Sequence, residues 1–134
     1  MTTLDAATAT PNGVTSALPA YRLRQVTQYI QENLPRDIRL AELGALVHMS
    51  PYHFARLFKR STGVPPHRFQ VLRRIDQARA LLAARTSSIA AIARMVGFRT
   101  PSHFTTTFRR ITGMTPSAYR SGGQGTARMT ETGK

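Results

Sequence analysis

Residues 50–66 read SPYHFARLFKRSTGVPP, and residues 100–116 read TPSHFTTTFRRITGMTP. Eight residues are identical between these two stretches at a constant spacing of 50. A segment that occurs twice indicates a structural unit that the chain builds twice. The identical pairs are Pro51/Pro101, His53/His103, Phe54/Phe104, Phe58/Phe108, Arg60/Arg110, Thr62/Thr112, Gly63/Gly113 and Pro66/Pro116.

The similarity continues upstream at a spacing of 49, so the second copy has one extra residue in the turn before its Pro. Both copies are short helical units rich in Arg, which suggests two similar surfaces that contact a repetitive polymer. The upstream pairs are Leu40/Ile89, Ala41/Ala90, Leu43/Ile92 and Val47/Val96.

Each copy contains the signals of two helices joined by a tight turn. In the first copy, Ser50 followed by Pro51 predicts a helix start, because the hydroxyl can accept a backbone N–H and Pro needs no partner there. Gly63 predicts its end. The same signals recur in the second copy, at Ser88, Gly97, Thr100-Pro101 and Gly113. The pair Thr115-Pro116 then predicts the start of a short final helix that ends near Tyr119.

Helical spacing predicts which side chains are buried. In the first copy Phe54, Leu57 and Phe58 share the inner face, and in the second copy Phe104 and Phe108 do. The predicted outward positions of the first copy are Tyr52, Ala55, Arg56 and Lys59.

The remaining chain divides into a core region and two polar ends. We predict a disordered arm or linker over residues 1–20 and a flexible tail over 122–134, because neither has a helical apolar period. Residues 21–121 form the predicted domain, with a helix before Pro35, a first module at 36–64, a connecting helix at 66–84 and a second module at 88–120. The 19-residue connecting helix is roughly 28 Å long, close to the roughly 34 Å between successive major grooves of B-DNA.

The charge of the chain favours a polyanion as partner. There are 19 Lys and Arg against 6 Asp and Glu, and residues 39–120 hold 14 of these basic residues beside only Glu42 and Asp76. Duplex nucleic acid is the first candidate partner and an anionic membrane surface the second. We expect no membrane-spanning segment and no signal peptide, so the cytoplasm is the predicted compartment.

Catalytic and metal-binding residues are not predicted. Paired carboxylates, a nucleophile beside a base and a phosphate-binding Gly loop are all missing from the pattern. His53 and His103 occupy equivalent places on separate predicted helices without a Cys nearby, so packing or phosphate contact is favoured over a metal site. No cofactor and no small-molecule pocket are predicted in this chain.

Residues 21–120 resemble the DNA-binding domain of the AraC/XylS family of bacterial transcription regulators. The resemblance is carried by FARLFKRSTGVPPHRF in the first copy, by Arg74 and its neighbours in the connecting helix, and by IAAIARMVGF and HFTTTFRRITGMTPSAYR in the second copy. It implies an all-α domain of seven helices in which two helix-turn-helix modules, joined by the long helix, bind two adjacent major grooves of promoter DNA. It also implies recruitment or blocking of RNA polymerase.

The resemblance also implies the contact residues. The positions that face base edges match Tyr52, Ala55, Arg56, Ser102, Thr105 and Thr106, and helical geometry places the same residues opposite the buried Phe side chains. Arg56 is expected to read guanine, with a phosphate contact as its alternative. The predicted phosphate contacts are Ser50, Lys59, Arg60, Arg99, Thr100, His103, Arg109 and Arg110, whose alternative is a solvated basic face.

Two residues depart from the family pattern. Thr106 stands where a basic residue is common, so we expect the second module to read DNA through hydroxyl and methyl contacts and to tolerate AT-rich sites. His48 stands where the second copy has Gly97, so a positive φ there would cost about 1 kcal/mol. Arg74 could contact DNA or instead be structural, as an ion pair or through its aliphatic stem.

The predicted function is sequence-specific regulation of transcription, either as activator or as repressor. The alternative is a non-specific basic architectural protein that binds DNA or RNA by charge alone, with steep salt dependence and no sequence preference. A separate effector domain does not fit in 134 residues. The chain is therefore either a one-domain regulator or part of a longer protein.

Overall fold

The computed structural model describes residues 17–122, and these residues form seven α-helices and no strand. The prediction of an all-α fold with two helix-turn-helix modules and a long connecting helix is confirmed. The helices are α1 (Ala20–Glu32), α2 (Leu40–Leu46), α3 (Pro51–Thr62), α4 (Pro66–Ala84), α5 (Ile89–Met95), α6 (Pro101–Thr112) and α7 (Pro116–Arg120).

The predicted arm and tail lie mostly outside the described residues. At the edge of the arm, Leu18 is buried and its N–H donates to the Ser61 hydroxyl at 2.8 Å. Ordered structure therefore begins before residue 21. At its other end α1 stops at Glu32, two residues earlier than Leu34, which is buried after the helix.

Hydroxyl side chains start four of the helices. Each accepts the backbone N–H three residues further on, and in three cases Pro follows it directly. These contacts satisfy N–H groups that have no partner inside the helix. The donor–acceptor pairs are His53 N–H to Ser50 (3.2 Å), Ala91 N–H to Ser88 (3.0 Å), His103 N–H to Thr100 (3.1 Å) and Ala118 N–H to Thr115 (3.1 Å).

The repeated Thr-Gly pair ends α3 and α6 in the same way. Gly63 and Gly113 are left-handed, with φ of 89° and 85°. The preceding hydroxyl donates to the carbonyl four residues back, at 3.0 Å from Thr62 to Phe58 and 2.8 Å from Thr112 to Phe108. This shared termination explains why Thr and Gly are conserved between the two copies.

The described residues form two compact units. The first unit comprises residues 17–33 and 37–70, and the second comprises 34–36 and 71–122. The first unit buries Val26, Ile30, Leu43, Val47, Phe54, Leu57 and Phe58. The second buries Ile75, Ala78, Leu82, Ile92, Ala93, Val96, Phe98, Phe104 and Phe108.

Helix α4 has the bounds predicted for the connecting helix, and its first residues also pack within the first copy of the repeat. Phe58 packs edge-to-face on Phe69 with ring centroids 5.3 Å apart, and Phe108 packs in the same manner on Tyr119 at 5.6 Å. Phe69 and Tyr119 are themselves 50 residues apart. The first five residues of α4 therefore do for the first copy what α7 does for the second.

None of the helices within residues 17–122 is both long enough and apolar enough to cross a membrane.

We predict that His48→Gly stabilises the protein by up to about 1 kcal/mol. His48 has φ of 59°, so the turn between α2 and α3 does have the positive φ whose cost was considered from the sequence. Glycine removes the steric strain that a Cβ causes in this conformation. Urea unfolding measures the gain in the free energy of unfolding.

Ala45→Gly is the control, because Ala45 is exposed inside the neighbouring helix α2. Glycine there should destabilise by roughly 0.5–1 kcal/mol. If His48→Gly and Ala45→Gly lower the free energy of unfolding by the same amount, the proposed strain at His48 is wrong.

Candidate nucleic-acid interface

The outer face of α3 presents the predicted contact residues of the first module. Tyr52, Arg56, Lys59 and Arg60 are exposed, and Ala55 is half-buried, whereas Phe54 and Phe58 are fully buried on the opposite face. The Arg56 guanidinium lies 5.9 Å from the centroid of the Tyr52 ring. This cation–π contact holds the planar Arg56 guanidinium, a hydrogen-bond donor, beside the Tyr52 ring on the outer face of α3.

The outer face of α6 is equivalent but carries hydroxyls in place of the first copy's aromatic and central basic side chains. Ser102 and Thr106 are exposed and Thr105 is half-buried, whereas Thr107 is buried. The run of three threonines is thus divided between surface and core. One concave surface of about 350 Å³ brings together Thr105, Thr106, Arg109, Arg110 and Thr115.

Thr115 is a lining residue of this surface that sequence reasoning did not select. Its hydroxyl caps α7, and its counterpart in the first copy is Pro65. The repeat therefore offered no matching polar residue. The only available signal was the helix-start pattern Thr-Pro, which indicates a cap and not a contact.

The remaining predicted phosphate contacts lie at the start of the two helices. Ser50 and Thr100 accept backbone N–H groups, which leaves each hydroxyl proton available for donation to an anion. Arg99 is exposed directly before Thr100. His103 is exposed and its ring packs edge-to-face on Phe98 at 5.3 Å, so His103 combines a packing contact with a surface position.

Arg74 is structural. Its side chain is buried within the second unit, where Nε donates to the Leu34 carbonyl at 2.8 Å and Nη2 donates to the Arg36 carbonyl at 3.1 Å. The guanidinium also lies 5.9 Å from the Phe98 ring centroid. These contacts hold residues 34–36 on α4, so Arg74 supports the fold that presents α6.

The described residues contain no group of three or more His, Cys, Asp or Glu side chains arranged to hold a metal ion. The chemistry of the two outer faces is instead that of hydrogen-bond donors and positive charge. Guanidinium, ammonium and hydroxyl groups pair with phosphate oxygens and with base edges.

Comparison with known proteins agrees with this arrangement. A family model described as a helix-turn-helix domain matches residues 43–122. A transcriptional regulator from Chromobacterium violaceum, described as an AraC-type DNA-binding domain-containing protein, superimposes with a TM-score of 0.72 at 26% identity, covering 76% of this chain and 91% of that one. The chain belongs to the AraC/XylS family of helix-turn-helix domains.

Two further relatives place this AraC-type domain in context. The DNA-binding domain of AdpA, a global transcriptional factor solved in complex with a target DNA, matches with a TM-score of 0.71 at 30% identity, over 81% of this chain and 98% of that chain. The regulatory protein PocR of Salmonella typhimurium is 37% identical over 99 residues, or 74% of this chain and 33% of PocR. The chain spans between 33% and 38% of the length of the first curated relatives it matches.

Proposed function

We propose that this AraC-type domain binds a specific double-stranded DNA sequence and regulates transcription from it. In this proposal α3 and α6 are recognition helices that enter two successive major grooves. The observation that carries the proposal is the duplicated outer face, on which donors and positive charge lie opposite a buried pair of Phe side chains in each copy.

The proposed roles follow the position of each side chain on its helix. Arg56 reads guanine O6 and N7, and Tyr52, Ala55, Ser102, Thr105 and Thr106 contact other base edges. The phosphate contacts are Ser50, Lys59, Arg60, Arg99, Thr100, His103, Arg109 and Arg110, which set register and affinity without reading sequence.

The wider setting is part of the same proposal. The domain acts in the bacterial cytoplasm, bound to promoter DNA in the nucleoid. It acts on transcription through RNA polymerase, and activation is favoured over repression. No catalytic step is assigned to it. Support comes from relatives named as regulators, among them PocR and the arabinose operon regulatory protein of Escherichia coli.

Selection of bound sequences from a random duplex library, at a low and a high salt concentration, tests the proposal. We expect a motif with two half-elements about 10 base pairs apart that survives the higher salt. A charge-driven binder would instead recover no motif and would lose affinity uniformly as salt rises. That second outcome contradicts the proposed function.

We predict that Thr106→Ala changes sequence preference less than Arg56→Ala does. A hydroxyl hydrogen bond contributes about 0.5–1.5 kcal/mol, whereas a bidentate Arg–guanine contact contributes about 1–3 kcal/mol of discrimination. Competition binding with single-base variants of the selected site measures both effects. An equal loss of preference in the two variants would refute the idea of a weaker, AT-tolerant second module.

A further inference from the structure

An apolar hollow of about 220 Å³ lies inside the first unit, beside recognition helix α3. Its walls include Ile38, Leu40 and Leu43, its polar side chains are His67 and Gln70, and Ala55 of α3 closes one side. Leu40 is 38% exposed at its edge. No feature of the sequence indicated this hollow, because its lining comes from four different helices and the loops between them.

In the second copy of the repeat, a side chain bridges two of the equivalent positions. Gln70 corresponds to Arg120 at the spacing of 50, and Ile38 corresponds to Ser87 at the spacing of 49. Arg120 Nη1 donates to the Ser87 carbonyl at 2.7 Å, so its long side chain bridges these two positions. In the first copy the shorter Gln70 side chain stands there and an open volume remains.

The lining defines the chemistry of an occupant. Among the described residues that line the hollow, none is Lys, Arg, Asp or Glu. A charged ligand would lose its hydration without gaining an ion partner, which disfavours it. A dry apolar cavity of about 150 Å³ is sufficient to bind benzene, and the hollow is larger than that.

We propose that the hollow binds an uncharged aromatic molecule of one or two rings with a single hydrogen-bonding group. The ring packs against Ile38, Leu40 and Leu43, and the polar group pairs with Gln70 or His67. This is a ligand site inside the helix-turn-helix module itself.

Ligand binding is expected to weaken DNA binding, a step that rests on the proposed function. Ala55 lines the hollow and is also a proposed base-reading residue, so a ligand that fills the hollow contacts α3 at the DNA-facing position. The ligand changes DNA affinity only if free and DNA-bound protein bind it unequally. If the ligand lowers the affinity for DNA, bound DNA lowers the affinity for the ligand by the same factor.

Methyl NMR of the full chain, without DNA, tests the ligand site directly with indole and benzyl alcohol as probes. We expect saturable shifts of the methyl signals of Ile38, Leu43 and Ala55. The counterparts Ile92 and Thr105 in the second copy serve as internal controls and should not respond. Absence of shifts, or equal shifts in both copies, overturns the site, and benzoate binding as tightly as benzyl alcohol overturns its preference for neutral ligands.

Two variants connect the signals to the hollow. Gln70→Arg introduces the bridging side chain of the second copy, and Leu40→Trp fills the edge from its exposed side. Each is expected to weaken indole binding at least tenfold, with thermal unfolding used to verify that it folds. Undiminished binding in the folded variants overturns the assignment, as does concentration-dependent self-association that shifts the same methyl signals without ligand.

DNA binding is then measured separately on the selected duplex. Saturating indole should lower the affinity of the wild-type chain at least threefold and leave that of Leu40→Trp unchanged. Indole binding with unaltered DNA affinity overturns the coupling and leaves the proposed function standing. Failure of the chain to select any DNA sequence overturns the proposed function, while the NMR titration still decides the ligand site.

Discussion

Replacing Arg56 by Ala is expected to lower affinity for the selected DNA site by about 5- to 150-fold, corresponding to about 1–3 kcal/mol. The loss should be concentrated at one position of the site, because a guanidinium donates two parallel hydrogen bonds to a single guanine. Arg56 is exposed on α3, and its cation–π contact with Tyr52 limits the conformations it loses on binding. Fluorescence anisotropy with the cognate duplex and its single-base variants measures the effect.

Two controls separate base reading from charge. Lys59→Ala, on the same helix, should weaken binding to all duplexes alike and reduce the slope of log affinity against log salt by about one. Arg24→Ala removes the same side chain from the exposed surface of α1 and should have little effect. If Arg56→Ala behaves like Lys59→Ala, Arg56 contacts a phosphate and the base-reading assignment is wrong.

Replacing Gly97 by Ala is expected to destabilise the protein by about 3 kcal/mol or more, the sum of overpacking and a left-handed non-glycine residue. Gly97 has φ of 106°, and an added Cβ would lie 2.8 Å from Arg74 Cζ and 2.9 Å from Pro35 Cα. Arg74 cannot move aside cheaply, since two backbone carbonyls hold its buried guanidinium. Urea unfolding, followed by circular dichroism, gives the difference in the free energy of unfolding.

Gly113→Ala is the matched control within the same unit. Gly113 is also left-handed, with φ of 85°, but nothing lies within 4 Å of an added Cβ. Only the conformational cost of about 1–2 kcal/mol should appear there. The difference between the two variants isolates the contact with Arg74 and Pro35, and equal losses at both glycines would rule that contact out as the cause.

A double-variant cycle with Arg74→Ala extends this test. Removing the guanidinium by itself should destabilise the second unit, because charged hydrogen bonds to two carbonyls are lost. In that background Gly97→Ala should cost less than in the wild type, since its nearest obstruction is gone. Additive losses would contradict direct coupling between the two residues.

The repeat made most of the fold predictable. Start signals such as Ser50-Pro51, stop signals such as Gly63, and the spacing of Phe54 and Phe58 are local properties of the chain, and they fix helix positions to within a residue or two. The outward positions of α3 and α6 followed from the same periodicity: Tyr52, Arg56, Ser102 and Thr106 are exposed, whereas Ala55 and Thr105 are half-buried. Their contacts with DNA remain a prediction.

Features that combine distant residues were not predictable. Arg74 could have been a DNA contact or a structural group, and only its burial against the carbonyls of Leu34 and Arg36 decided the matter. Burial of Thr107 was, by contrast, implicit in the repeat, because Thr107 corresponds to the inner-face residue Leu57 at the spacing of 50. The division of α4 between two compact units was also not predicted: Phe69 packs on Phe58 in the first unit, whereas Ile75, Ala78 and Leu82 are buried in the core of the second.

The sequence by itself determined the all-α class, the number of helices, the duplicated helix-turn-helix pattern and the two outer faces. These depend on hydrogen bonds and side-chain periodicity within a few neighbouring residues. Tertiary structure alone decided the hydrogen bonds from Arg74 to the carbonyls of Leu34 and Arg36, the polar concave surface that includes Thr115, and the apolar hollow beside Ala55. Such features arise where side chains far apart in the chain pack together. Their shape depends on how the volumes of those side chains fit, which the sequence of neighbouring residues does not reveal.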